Sequence, residues 1–170
     1  QNPIEQAGTY KLPEAQLDRF MIKTSIGYPS LAVAERILAG DVDRNPSGKL
    51  SPVITTKAVA DMADLAATVH VDPAVARYAA QLVESTRESD ATKLGVSVRG
   101  AISMMRIARV VAASQGRHYV IPDDVKALAA PVWTHRLVLD PEAEFSGTTS
   151  ESVIERALTQ VEAPLARASA

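Results

Sequence analysis

The sequence predicts a mainly α-helical protein in which a helical bundle follows a short α/β segment. Apolar residues make up 46% of the chain and recur at helical spacing beyond about residue 51. Most of them are Ala and Val, whose small side chains allow close helix packing. Pro and Gly instead punctuate the first fifty residues, where they interrupt short elements. We therefore place a domain boundary near residue 50, between residues 1–50 and a bundle over residues 51–170.

The pattern of residues 1–50 predicts three short elements and a linker. Residues 13–18 can form one or two helical turns, and the apolar residues 20–26 favour a short buried strand. Ser30 is placed to cap a helix whose apolar stripe ends at Gly40. The polar, turn-forming residues 41–49 predict a linker or loop.

The bundle is predicted from helix start and stop signals. Asp72-Pro73 is an N-cap followed by a proline at the first helical position, and the longest helix runs from Ser97 to Ser114 before Gly116. The other predicted helices begin at Thr55 or Thr56, at Pro122 with a kink at Pro131 and an apolar stripe reaching Leu137, and near Ser150.

Composition excludes several classes of function. The 18 basic and 20 acidic residues give a net charge of −2, so no global attraction to nucleic acid is expected. The absence of cysteine excludes disulfides, thiol catalysis and Cys-ligated zinc. No apolar run approaches the roughly 18 to 20 residues of a membrane span, and the N-terminus lacks signal-peptide features, so a cytoplasmic protein is expected. Because the chain begins without methionine, we expect a truncated or proteolytic fragment.

Catalytic and metal-binding motifs are missing from the sequence. The three histidines are scattered, without the i, i+4 spacing of a helical metal site, and no phosphate-binding loop of the G-x-x-x-x-G-K-[ST] type occurs. We therefore expect no nucleotide hydrolysis and no metal binding by this chain alone.

Arginines provide the main candidate chemistry. Arg99, Arg106, Arg109 and Arg117 follow one another with no acidic residue between Arg99 and Arg117. One interpretation is an anion site, because the Gly95-Val96-Ser97 turn leads into a helix N-terminus that favours phosphate and Arg99 adds a forked donor. The other interpretation is a solvated helix face, and the spacing does not decide between them.

Two further residues leave similar alternatives open. Arg19 either pairs with Asp18 or points outward to another subunit. Asn2 is either a turn former before Pro3 or an amide that faces a polar ligand.

Several motifs in this order resemble the C-terminal part of a MoxR-type AAA+ ATPase. The most specific is Gln1-Asn2-Pro3-Ile4-Glu5-Gln6-Ala7-Gly8-Thr9-Tyr10 with Leu12-Pro13-Glu14-Ala15-Gln16-Leu17-Asp18-Arg19-Phe20. Gly95-Val96-Ser97-Val98-Arg99-Gly100, the segment around Ile121-Pro122-Asp123-Asp124 and His135-Arg136-Leu137 extend the likeness over nearly the whole chain. The resemblance implies that residues 1–50 are the C-terminal edge of the α/β nucleotide-binding core and residues 51–170 its helical lid.

The resemblance also implies residue roles. Asn2 matches the sensor-1 residue that helps to position the attacking water, Arg19 the arginine finger that reaches an adjacent subunit, and Arg99 the sensor-2 arginine of the lid. ATP and Mg²⁺ are then expected in the full-length parent, with neither bound tightly by this chain alone. The usual Gly-Ala-Ser-Pro-Arg-Ala segment is altered here, because Val96, Val98 and Gly100 replace alanine, proline and alanine.

The function expected from the resemblance is that of a ring-forming ATPase, expected to be a hexamer, which remodels or matures client proteins. Proteins with von Willebrand factor A domains are the clients that the family suggests. Two alternatives stay open: a stand-alone helical adaptor that binds protein or nucleic acid through the Arg99–Arg117 face, and a magnesium-chelatase-like ATPase subunit. Salt-dependent DNA binding by the isolated chain would favour the adaptor.

Overall fold

A computed structural model describes residues 12–41 and 50–164 of the chain. The elements of the first range are α1 (Glu14–Leu17) and α2 (Leu31–Leu38). Those of the second range are α3 (Thr56–Ala67), α4 (Pro73–Arg87), β1 (Thr92–Leu94), α5 (Val98–Ser114), α6 (Pro122–Trp133), a 3₁₀ turn (Thr134–Arg136), β2 (Val138–Leu139), α7 (Pro141–Phe145) and α8 (Ser150–Gln160). The mainly α-helical class predicted from the sequence is confirmed.

Helices α4, α5, α6 and α8 enclose one apolar core. Its largest fully buried side chains are those of Trp133, Tyr78, Leu82, Met104 and Ile154. Alanines on α5 and α6 are also fully buried, which lets these two helices approach closely. These four helices thus turn their periodic apolar faces inward. Helix α3 was predicted to do the same, but Val59, Met62 and Leu65 are exposed and only Ala66 of this helix is buried.

Helix starts follow the predicted caps. The side chains of Thr55, Asp72 and Ser97 accept hydrogen bonds from backbone N–H groups in the first turns of α3, α4 and α5. The isoleucine before α6 has no side-chain acceptor, and there the carboxylate of Asp124 reaches back to accept the Ile121 N–H at 2.9 Å. Helices α3 to α6 therefore each begin with at least one of their free donors bonded. The cap predicted at Ser30 is not formed, because its side chain accepts no bond from the first turn of α2.

The lid-side prediction differs from the structure in two places. Helix α6 ends at Trp133 and does not reach Leu137. Pro131 has no N–H for the helical ladder, and three residues after it the chain tightens into the 3₁₀ turn Thr134–Arg136. Strands β1 and β2 form an antiparallel pair that the sequence did not predict, with Thr92 opposite Leu139. Strands of two or three residues are too short to show an alternating pattern.

The strand predicted over residues 20–26 is not formed. Its bonds to the bundle are made at single positions: the Lys23 N–H donates to the Pro131 carbonyl at 2.9 Å, and the Phe20 carbonyl is bonded by the side chains of His135 and Arg136. A strand needs a neighbouring strand to pair with, and the described residues supply none here. The apolar side chains predicted to be buried are exposed instead, from 43% at Met21 to 102% at Ile26.

Some predictions fall outside the described ranges or are not decided by them. Asn2 and most of the first motif precede residue 12, and nearly all of the linker predicted at residues 41–49 also lies outside. The boundary near residue 50 stays a prediction. No helix in the described ranges combines the length and the apolar character that crossing a membrane requires.

Candidate functional site

Arg19 lies in the turn that follows α1. The turn is closed by backbone bonds from the Arg19 N–H to the Gln16 carbonyl and from the Phe20 N–H to the Leu17 carbonyl, both 3.1 Å. The side chain is exposed, and it makes no ion pair with any residue that the structure describes. Of the two predicted alternatives, pairing with Asp18 is not observed.

Arg99 is the second residue of α5. Its side chain is 58% exposed, and its Nε lies 3.7 Å from Oδ2 of Asp18. Among the described residues this long contact is its one ion pair, and more than half of the side chain is open to solvent. Arg99 can therefore contact an anion outside the bundle without losing a buried bond.

Asp18 connects the turn of Arg19 to the start of α5. Its carboxylate accepts hydrogen bonds from the Ser97 hydroxyl at 2.9 and 3.0 Å, and from Nη1 of Arg136 at 2.6 Å. Asp18 precedes Arg19 in the chain and its carboxylate contacts the side chain of Arg99, so it connects two residues that are 80 positions apart in the sequence. This connection between two predicted site residues is the main geometric feature of the site.

The predicted phosphate site at the Gly95-Val96-Ser97 turn needs correction. The negative charge at the N-terminus of α5 is the carboxylate of Asp18, bonded to the N-cap Ser97. The Val96 N–H is also engaged, because it donates to the hydroxyl of the buried Thr86 at 3.0 Å. A carboxylate therefore already meets the helix dipole there, and Arg99 is an exposed donor beside it.

Gly100 fits a crowded place between α5 and the 3₁₀ turn. A Cβ on Gly100 would lie 2.6 Å from Cγ1 of Val96 and 3.0 Å from Cδ of Arg136. Val96 is fully buried, so its methyl occupies the space where an alanine at position 100 would project. The two departures from the family pattern therefore compensate each other: the side chain at position 96 is larger than the usual alanine, and the residue at position 100 is smaller by the methyl group that would clash with it.

The predicted Arg99–Arg117 face is not a single surface. Arg117 is bound by both oxygens of Asp124, at 2.6 and 2.8 Å, and this hydrogen bonding raises the pKa of Arg117. The Nε of Arg109 is buried and has no hydrogen-bond partner among the described residues. Of the basic side chains proposed for this face, Arg99 and Arg106 are the exposed ones, which weakens the adaptor interpretation.

His135 contacts the same turn as Arg136. Its Nε2 lies 2.9 Å from the Phe20 carbonyl, and its Nδ1 is buried without a hydrogen-bond partner in the described part of the chain. Burial lowers the pKa of His135, and the nearby charge of Arg136 adds to this effect, while the bond to Phe20 opposes it. The neutral imidazole, with its proton on Nε2, fits this site best.

The described residues offer basic groups for a triphosphate but no metal centre. Arg19 and Arg99 are exposed guanidinium groups that suit phosphate oxygens. Within residues 12–41 and 50–164 no three acidic or histidine side chains cluster as metal ligands do. Sequence reasoning missed the contribution of Arg136 to this site. It named Arg136 only as part of the motif His135-Arg136-Leu137.

Two family models match the chain. The model for the AAA lid domain matches residues 84–157, and that for the ATPase family associated with various cellular activities matches residues 1–22. Protein YeaC of Bacillus subtilis (strain 168) is 38% identical over 98% of this chain and 52% of its own length. The chaperone MoxR1 of Mycobacterium tuberculosis is 35% identical over 96% of this chain and 45% of its own length. Protein MoxR of Paracoccus denitrificans is 33% identical, with 84% and 48% covered.

A solved structure shares the fold. The crystal structure of an ATPase candidate from Cytophaga hutchinsonii superposes with a TM-score of 0.85 at 31% identity, and covers 97% of this chain and 53% of that one. The chain thus spans about half the length of the curated relatives and of the solved structure that it matches.

Proposed function

Because the chain belongs to the MoxR family of AAA+ ATPases, we propose that it supplies Arg19 and Arg99 to the nucleotide sites of a ring-forming ATPase. Arg19 acts as an arginine finger on an adjacent subunit, and Arg99 is the sensor-2 residue of the lid. The observation that carries the proposal is that both guanidinium groups are solvent-exposed while their backbones are tied to one buried network through Asp18.

Each arginine has a chemical task in this proposal. ATP with Mg²⁺ supplies the phosphoryl group, whose transfer spreads negative charge over phosphate oxygens. A guanidinium that is fixed before the reaction stabilises that charge without reorganisation, because its position is already set. The backbones of Arg19 and Arg99 are held in place, and their exposed guanidinium groups are proposed to become fixed on contact with the phosphates, while Asn2, outside the described residues, is proposed to orient the attacking water.

The biological role proposed for the ring is remodelling or maturation of client proteins in the cytoplasm. Support comes from the relative of Mycobacterium tuberculosis that is named a chaperone. Proteins with von Willebrand factor A domains are the proposed clients, and a hexamer is the proposed ring. A phosphate-binding loop and magnesium-binding acids must come from residues other than those of this chain, so that the chain alone is proposed to be inactive.

The test uses a longer protein in which this chain is joined to a nucleotide-binding core of the family. Arg19→Ala is expected to lower ATP turnover by about 10³-fold or more, and Arg99→Ala by about 10²-fold. Arg106→Ala is the matched control, since Arg106 is an exposed arginine on α5 with no proposed role. Turnover that is unchanged in both Arg19→Ala and Arg99→Ala would remove the assignment.

Mixtures with the wild-type protein separate action in cis from action in trans. When Arg19→Ala subunits are mixed with wild-type subunits in one ring, each variant subunit disables the site of its neighbour rather than its own. A variant that carries Arg19 but lacks the phosphate-binding lysine should therefore restore turnover to Arg19→Ala subunits. Failure of this complementation in mixed rings would contradict the finger role.

A further inference from the structure

The Arg136 side chain is charged and has 0% exposure. Its Nε donates to the Val132 carbonyl at 2.8 Å, within the lid. The two Nη groups leave the lid and donate to the turn of Arg19: Nη1 to the carbonyl and the carboxylate of Asp18, and Nη2 to the Phe20 carbonyl at 2.6 Å. The guanidinium thus bonds backbone oxygens on both sides of Arg19.

Neighbouring residues reinforce this attachment. His135 contacts the same Phe20 carbonyl at 2.9 Å, and the Pro131 carbonyl accepts the Lys23 N–H at 2.9 Å. We call residues 18–23 the docked turn and residues 131–136 its receptor. Three receptor residues therefore hold the docked turn at three of its positions, and none of these bonds uses the Arg19 side chain.

Energetic considerations indicate that Arg136 orients the docked turn rather than adding to the stability of the fold. Burying a guanidinium has a large desolvation cost, and replacing a whole buried ion pair by apolar side chains of similar volume often gives equal or greater stability. What an apolar side chain cannot do is fix the direction of two carbonyls and one carboxylate at once. A planar fork with five donors does this, and lysine does not.

We propose that Arg136 is a positioning residue that fixes the Arg19 turn against the lid and, through Asp18, couples it to the start of α5 where Arg99 lies. The inference rests on the proposed roles of Arg19 and Arg99. In this arrangement a movement of the lid at one nucleotide site moves the finger that serves the neighbouring site. One buried arginine thereby connects two sites of the ring.

The first experiment measures amide hydrogen exchange by NMR in the chain itself. Arg136→Met is expected to raise the exchange rate of the Lys23 amide by about tenfold or more, because the docked turn opens locally. Arg117→Met is the matched control, since it also removes the arginine of a buried Arg–Asp pair but lies elsewhere in the lid. It should lower the melting temperature while leaving Lys23 exchange relative to α8 amides unchanged. Equal relative exchange of Lys23 in both variants would overturn the inference.

A milder variant keeps the inference testable if Arg136→Met does not fold. Asp18→Asn keeps the side-chain shape and the Ser97 bond but removes the charge that faces Arg136. We expect it to raise Lys23 exchange by a smaller factor than Arg136→Met, and Arg136→Lys to fall between the wild type and Arg136→Met. No increase in Asp18→Asn would count against the coupling through Asp18.

The second experiment measures turnover in the longer ATPase described above, well below the melting temperature of each variant. Arg136→Met is expected to lower kcat with little change in KM for ATP, because a misplaced finger weakens transition-state rather than ground-state contacts. Arg117→Met should keep its kcat. The two proposals can fail separately. If Arg19 is not a finger, Arg19→Ala keeps its ATP turnover. If Arg136 does not position the docked turn, Arg136→Met leaves the exchange of the Lys23 amide unchanged, whether or not Arg19 acts as a finger.

Discussion

The contact between Val96 and Gly100 predicts that these two positions are energetically coupled. Gly100→Ala alone adds a Cβ 2.6 Å from a Val96 methyl, and overpacking of this kind costs about 1–3 kcal/mol. The higher helix propensity of alanine offsets about 1 kcal/mol of this cost, so the free energy of unfolding falls by about 1 kcal/mol. Val96→Ala alone removes two fully buried methyl groups and costs about 2–3 kcal/mol.

The double variant should be more stable than the sum of the single changes. With Val96→Ala the 2.6 Å contact disappears, leaving the milder contact of 3.0 Å with Cδ of Arg136, and the new methyl at position 100 fills part of the cavity that the valine leaves. The expected net loss is about 1 kcal/mol or less, which gives a favourable coupling of about 2 kcal/mol. Urea unfolding of the four proteins measures it from the midpoints at a constant m-value.

A control and a contradicting result are available for this cycle. Val83 is a buried valine of α4 and is not one of the residues that a Cβ on Gly100 would meet. Val83→Ala combined with Gly100→Ala should therefore be additive within about 0.5 kcal/mol. If the Val96→Ala and Gly100→Ala pair were equally additive, the interpretation of the two departures as compensating changes would be wrong.

Three further predictions concern buried polar groups. Thr86→Val should cost about 1–3 kcal/mol in urea unfolding because it leaves the buried Val96 N–H without its acceptor, and an unchanged midpoint would contradict this. Arg117→Met should cost about 3–5 kcal/mol, measured by thermal unfolding, because Asp124 stays 95% buried without its partner; a loss below about 1 kcal/mol would contradict it. The lowered pKa of His135 means that the unfolded chain binds the proton more readily, so stability should fall as pH drops below about 6.5. His135→Gln should flatten this acid limb, and an identical pH profile would argue against the assignment.

The helices of the bundle could be predicted because local signals and tertiary packing agree there. Asp72 before Pro73 and Ser97 before α5 are caps whose effect needs no distant partner, and the structure confirms both. The burial of Leu82 and Met104 follows from spacing along single helices.

The residues before the bundle were harder to predict because their structure depends on distant partners. Apolar composition suggested a strand over residues 20–26, but composition cannot supply the neighbouring strand that pairing requires. Arg136 gave no local signal either, since its bonds to Asp18 and Phe20 span 118 and 116 positions. Arg19 and Arg99 could be named from family motifs, whereas their common link through Asp18 became visible only in three dimensions.

The long separation between the docked turn and its receptor has a consequence for synthesis. A ribosome completes the turn of Arg19 more than a hundred residues before Arg136 exists, so the nascent chain carries this turn without its holder. Contacts between such distant positions form late, after the local helices between them. If Arg19 acts as proposed, a new subunit acquires a positioned finger only once the residues around Arg136 have been translated and folded.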